Sequence, residues 1–202
     1  MIDLLRGSSF RPLAVLDDRW PEGPGDVLDV EVTGTLAAAS RYLTQGHLLL
    51  NGIGSSRHRS IRYDIHARLG LSDSAWAVFA DPSSTVSPRA QLGSGTILYP
   101  GVRVAAGVRM GRQALVYYNS VIHHDSVLGV GVTVCAGVLL AGGVRVGDGS
   151  YLGVGSVVRD GVTLGQRVLV GMGAVVTRDV PDGATVVGIP AKVVPQSDGV
   201  RS

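Results

Sequence analysis

Residues 86–181 read VSPRAQ LGSGTI LYPGVR VAAGVR MGRQAL VYYNSV IHHDSV LGVGVT VCAGVL LAGGVR VGDGSY LGVGSV VRDGVT LGQRVL VGMGAV VTRDVP, sixteen six-residue phrases without a gap. An apolar residue opens every phrase, from Val86, Leu92 and Leu98 through Met110, Ile122 and Leu140 to Val170 and Val176. Four residues after each stands a small or β-branched residue, among them Ala90, Thr96, Val102, Ser120, Ser126 and Val180. Glycine often follows the apolar residue directly, as at Gly93, Gly111, Gly129, Gly147, Gly153, Gly165 and Gly171. A period of six fits neither the 3.6 of an α-helix nor a coiled-coil heptad, and an internal repeat outranks other readings.

The physical reading is a parallel β-helix. Each hexad supplies a short flat strand and a corner, and three hexads close one triangular coil. Coils stack at about 4.8 Å, the inter-strand spacing, so a little over five of them make a prism about 25 Å tall. The apolar residue points inward, the small residue fits beside the corner, and glycine is expected to serve the turn angles.

The bulk properties narrow the function. At 202 residues, one domain or one plus a smaller companion is expected. The net charge is +2 and no Lys/Arg run occurs, which argues against nucleic acid as a partner. No apolar run approaches the ~20 residues of a membrane span, and the opening MIDLLRGSSF lacks a signal-peptide pattern. The lone Cys135 excludes an internal disulfide. A soluble cytoplasmic protein is the expectation.

Residues 1–84 differ in texture. Strands are expected at Pro12–Leu16, Val27–Val32, His47–Asn51 and Ala75–Phe79, with helical composition over Thr35–Thr44 and Arg57–Leu69. Ile61, Ile65 and Leu69 would share one helix face. This alternation argues a small α/β unit with parallel pairing. The expected division is 1–84 for this unit, 85–181 for the β-helix and 182–202 for a tail.

Five short motifs add to the hexads. Val15-Leu16-Asp17-Asp18 is a strand ending in an acidic pair, and Ile53-Gly54-Ser55-Ser56 with Arg59 is a strand–Gly–polar loop with an arginine opening a helix. Ala80-Asp81-Pro82-Ser83-Ser84 is a short linker, His123-His124-Asp125 sits in mid-prism, and Gly188-Ile189-Pro190-Ala191-Lys192 closes the chain. In this order the motifs resemble the hexapeptide-repeat sugar acetyltransferases, the family of sialic-acid O-acetyltransferases and bacterial UDP-amino-sugar N-acetyltransferases. Asp81 stands where that family has a histidine. The resemblance implies a left-handed β-helix behind a Rossmann-like unit. Met1–Arg6 resembles the end of the family's first helix, so either the opening strand and glycine turn precede Met1 or the nucleotide site is vestigial.

The resemblance also implies roles. His124 falls at the family's catalytic histidine, as general base, with Asp125 orienting it; histidine suits proton transfer near neutral pH. Acetyl-CoA would lie along the prism against Gly142, Val154, Gly171 and Met172, under the tail residues Gly188, Ile189, Pro190 and Lys192. Gly142 would donate to the oxyanion. The sugar side would be formed by Asp17, Asp18, Gly54, Ser55, Arg59, Tyr117 and His123. Tyr117 replaces an asparagine that N-acetyltransferases of this kind place near the acceptor amine, which leaves N- and O-acetylation both open. A homotrimer acting on a nucleotide-linked sugar is the implied assembly, and no metal is expected. Two other readings compete. One is a non-catalytic β-helix scaffold with a vestigial sugar site. The other is a γ-type carbonic anhydrase, which needs three zinc-binding histidines where the prism offers an adjacent pair. Cys135 has no partner histidine nearby in sequence and reads as a structural thiol.

Overall fold

The computed structural model describes residues 1–19, 25–54 and 60–194. From Thr85–Val86 to Val175–Val176, a two-residue strand recurs every six residues. These strands pair only in parallel, each with the strand eighteen residues away, and so form three faces. Face one stacks Phe79–Ala80, Ile97–Leu98, Leu115–Val116, Thr133–Val134, Tyr151–Leu152 and Leu169–Val170 under Thr185–Val187. Face two runs from Thr85–Val86 through Val121–Ile122 and Leu139–Leu140 to Val175–Val176, and face three from Gln91–Leu92 to Thr163–Leu164. The arrangement is a triangular parallel β-helix and fits the left-handed type.

The sequence period explains the packing. The second residue of each strand is the hexad's apolar opener, and Leu98, Ile122, Leu128, Leu140, Leu152 and Val170 are all buried on the prism axis. So are the residues four steps on, including Val102, Val138 and Ser126. Each such aliphatic contributes about 1.5–3 kcal/mol by leaving water.

The two glycine positions of the hexad have separate causes. The left-handed residue of each corner stands three steps after the apolar opener, as Gly143 (φ +68°), Gly161 (φ +69°) or Asp125 (φ +59°). The glycine directly after the opener serves close approach instead. A Cβ on Gly111 would lie 2.6 Å from the carbonyl carbon of Gly129 in the next coil. The expectation that this glycine supplies turn angles is therefore corrected: it lets stacked backbones touch.

The N-terminal unit differs from a regular strand–helix alternation. β1 (Val15–Leu16) pairs in parallel with β3 (Val30–Gly34), but β2 (Gly25–Val27) forms an antiparallel hairpin with β3. The apolar segment 47–51 makes a single parallel bridge, Leu49 to Trp76. Phe79–Ala80 joins face one of the prism, because Phe79 is fully buried among Phe10, Ile97 and Leu115. Leu5 on α1 (Ile2–Arg6) packs into the same cluster. α2 (Ala39–Thr44) follows a 3-10 turn, and α3 (Ile61–Leu69) buries Arg62 and Ile65.

The tail roofs the prism. Thr185–Val187 continues face one and reverses into antiparallel Lys192–Val194. The connecting loop crosses to face two, where the Val175 N–H donates to the Gly188 carbonyl (3.0 Å) and the Ala191 N–H to the Val175 carbonyl (2.8 Å). At face three, Val180 bridges Leu164 and Asp179 Oδ1 accepts the Thr163 N–H at 2.8 Å.

Candidate active site at the second corner of the prism

The turn between faces two and three carries Ala106-Gly107, His124-Asp125, Gly142-Gly143 and Asp160-Gly161 on successive coils. Asp125 takes the left-handed position of its turn, a conformation aspartate tolerates better than most residues. Its backbone N–H donates to the Ala106 carbonyl at 3.0 Å. Its carboxylate sits where a side chain on Gly107 would be and meets His124 Nδ1 at 2.9 Å. A carboxylate only accepts, so Nδ1 carries a proton, and in the neutral ring Nε2 then presents its lone pair.

Nε2 is aimed at the next coil. A Cβ on Gly142 would lie 2.7 Å from both His124 Nε2 and Cε1, so only glycine leaves room for this ring. The Gly142 backbone is fixed from both sides: the Gly143 N–H donates to the His124 carbonyl and the Gly161 N–H to the Gly142 carbonyl, each at 2.9 Å. The Gly142 N–H itself has no acceptor among the described residues. Orienting acid, base and free donor thus share one corner on adjacent coils, and His124 and Asp125 are well exposed. His123 is also exposed, its ring 6.1 Å from that of His124.

The remaining cofactor candidates stand elsewhere. Val154 and Met172 sit on the corner between faces one and two, with Met172 82% exposed. Ile189 and Pro190 lie in the roofing loop at the same corner, where Ile189 is 77% exposed. Gly171 packs against Val187, where a Cβ would come within 2.7 Å of a valine methyl, and Lys192 extends from the final strand into solvent. Between the two corners lies the outer side of face two. Its outward residues Val121, Leu139, Val157 and Val175 form an apolar ladder, and Leu139 is 44% exposed.

The sugar candidates divide in the same way. Asp17 is held by Arg19, whose guanidinium keeps the carboxyl below its usual range, and Asp18 pairs with Arg68 at 2.8 Å and accepts the Leu36 N–H. Ser55 and Arg59 lie outside the described residues. Gly54 is placed directly over Tyr117, whose hydroxyl would be 2.8 Å from a Cβ at that position. The Tyr117 ring lies tilted by 38° against Tyr99 at 4.7 Å, and Tyr118 meets Tyr99 edge-on at 5.0 Å. Burial pushes the Tyr117 phenol up and that of Tyr99 to about 12, opposed in both by the nearby Arg62. Tyr117 is one face away from His124, so a single chain does not bring them together.

Cys135 is buried against Tyr151, and burial pushes its thiol up, the reverse of an activated nucleophile. Among the described residues, no group of three His, Cys, Asp or Glu side chains is placed to hold a metal ion, and no helix is long and apolar enough to cross a membrane. Sequence reading missed Tyr118 and Arg62. Tyr118 had a signal in the paired tyrosines of one hexad, whereas Arg62 had none beyond standing next to an apolar stripe.

A family profile described as the hexapeptide repeat of succinyl-transferase matches residues 143–178. A histidine-to-asparagine variant of perosamine N-acetyltransferase from Caulobacter crescentus, solved with CoA and GDP-perosamine, is 33% identical. The match covers 96% of this chain and 90% of that one with a TM-score of 0.83. The acetyltransferase domain of PglB from Neisseria gonorrhoeae FA1090 is 30% identical over 96% and 91% of the two chains, with a TM-score of 0.82. That domain has also been solved with acetyl coenzyme A. WeeI from Acinetobacter baumannii AYE, 24% identical with a TM-score of 0.71 over 90% of this chain and 85% of its own, shares the fold. No match arises among curated protein sequences. A prism with one histidine corner and this likeness over nearly its full length place the chain in the hexapeptide-repeat sugar acetyltransferase family, as an acyltransferase.

Proposed function

We propose that the protein transfers the acetyl group of acetyl-CoA to an amine or hydroxyl of a nucleotide-linked sugar, as a homotrimer in the cytoplasm. The observation that carries this reading is the second corner, where Asp125 fixes the tautomer of His124 and Nε2 faces the Gly142 turn with its uncommitted N–H. The relatives solved with CoA and GDP-perosamine, or with acetyl coenzyme A, support the two substrates.

His124 Nε2 takes a proton from the acceptor amine or hydroxyl as that atom attacks the thioester carbonyl. Asp125 stabilises the imidazolium that results. The Gly142 N–H donates to the oxyanion, and because its backbone is already pinned, little reorganisation is needed at that moment. Collapse breaks the C–S bond, and the imidazolium returns its proton to the departing thiolate. The exposed apolar residues Val154, Met172 and Ile189, with Gly171, Gly188 and Pro190 giving the roof its shape, suit the aliphatic arm of the cofactor, and Lys192 suits a phosphate. Asp17, Asp18, Gly54, Ser55, Arg59, Tyr117 and His123 are retained as the acceptor side.

Assembly follows from placement. The acceptor candidates Gly54 and Tyr117 lie at one corner and the base at the next, separated by the apolar ladder of face two. Burying that ladder against a second prism would cover it and bring the base of one copy towards the acceptor corner of another.

The test is thiol release from acetyl-CoA against a panel of nucleotide-linked amino sugars, their hydroxyl counterparts and free sugars. Wild type should turn over a nucleotide-linked member. His124→Ala should lose ~10²–10⁴-fold in kcat while still binding acetyl-CoA. Near-normal transfer by that variant would overturn the assignment.

A further inference from the structure

Among the described residues, Arg62 is the only charged side chain that is buried, and its hydrogen-bond acceptors include no carboxylate. Its guanidinium is spent on backbone carbonyls. Nε donates to Gln113 (2.9 Å), Nη2 to Gly95 (3.3 Å), and Nη1 to Ile53 (3.1 Å) and to Asn51. Two of these acceptors are stacked turns of the prism corner between faces three and one. The other two belong to the segment that runs into Gly54. A buried cation without an anion is costly, and an apolar side chain would fill the same space at lower cost. What the guanidinium adds is geometry: five donors in a fixed fork, turning the carbonyls of residues 51 and 53 onto the prism. The chain emerging from that clamp is the one that lays Gly54 over the Tyr117 hydroxyl.

We infer that Arg62 is a positioning residue that clamps the Asn51–Gly54 segment to the prism, and thereby sets how Gly54 seats against the Tyr117 hydroxyl that the sugar acceptor meets. This rests on the acceptor side proposed above. Arg62 touches no substrate itself, being fully buried.

Arg62→Lys keeps the charge but replaces the fork with a single ammonium. Gly54→Ala leaves the clamp intact and drives a methyl against the Tyr117 hydroxyl. Each should raise the acceptor KM tenfold or more, with the acetyl-CoA KM within twofold of wild type. Hydrogen exchange should quicken at residues 50–54 in Arg62→Lys, while Leu115–Val116 and Thr133–Val134 stay protected. An unchanged acceptor KM in both variants, or both KM values rising together, overturns the inference, as does faster exchange throughout the prism in Arg62→Lys. Should Arg62→Lys fail to fold, Gly54→Ala decides through the same pair of KM values. If wild type acetylates no nucleotide-linked sugar, the acceptor reading fails by itself, and the exchange pattern still shows whether Arg62 holds the segment.

Discussion

Adding one methyl at Gly142 should cripple transfer without harming the fold. The new Cβ would lie 2.7 Å from His124 Nε2 and Cε1. Ordinary contact is about 3.5 Å, so the overlap is about 0.8 Å and something must yield. Backbone bonds of 2.9 Å on either side hold the Gly142 turn, whereas the imidazole is largely exposed, so the ring moves. Swinging away sacrifices the 2.9 Å contact with Asp125 and shifts the base. A displacement of this size costs ~10²-fold in rate, about 2.7 kcal/mol of transition-state stabilisation. Folding should feel little of it, since Gly142 has an ordinary φ and no committed N–H. The neighbouring Gly143 gives the opposite case. Its φ of +68° strains an alanine by ~1 kcal/mol, yet a Cβ there meets nothing within 4 Å. Steady-state thiol release and thermal melting on both variants make the comparison. Gly142→Ala should lose kcat and keep its Tm; Gly143→Ala should lose Tm and keep kcat. A Gly142→Ala enzyme within threefold of wild-type kcat would refute the placement of His124 as base against this turn, and so would a further loss when Gly142→Ala is added to His124→Ala.

Other perturbations have equally definite outcomes. Asp125→Asn, which tolerates the left-handed turn, should keep the melting temperature but lower kcat by ~10-fold or more, because the amide holds either tautomer of His124. Leu139→Glu places a charge in the middle of the apolar ladder of face two; native mass spectrometry should show monomer, and transfer should collapse with it, since an unpaired charge in an interface costs several kcal/mol. Cys135 should alkylate at pH 8 at least ~10-fold more slowly in the native protein than in denaturant, because the raised thiol pKa leaves less thiolate, and Cys135→Ala should retain turnover within twofold.

The prism was legible because a period of six puts one apolar residue on the axis per strand, and nothing else in the chain competes with that order. The histidine corner was legible for the same reason: counting eighteen residues from His124 lands on Gly142. The same count separates what simple adjacency joins. Val154 and Met172 follow Gly142 in sequence but fall on another corner, twelve and thirty residues on. The N-terminal unit was harder to read, because its elements are short and their partners distant. Segment 47–51 has the composition of a strand but finds one bridging residue, Leu49, and Phe79 leaves its expected sheet for the bottom rung of the prism. Arg62 was hidden altogether, since its partners are carbonyls, which every residue possesses.

A stack of parallel strands is also a template. Each bare coil offers three rows of unpaired amides at the spacing the next coil would use, and a second molecule can supply that coil as readily as the same chain. Here the upper end is closed by three unlike devices, a reversed strand on face one, a crossing loop on face two, and the Asp179 carboxylate with the Val180 bridge on face three. None of them repeats the two-residue rung below, so a copy arriving in register finds no matching edge. The loop and strand proposed above for the cofactor are thus also two of the three devices that close the stack. Loosening the roof would bare the parallel edges of the last coil.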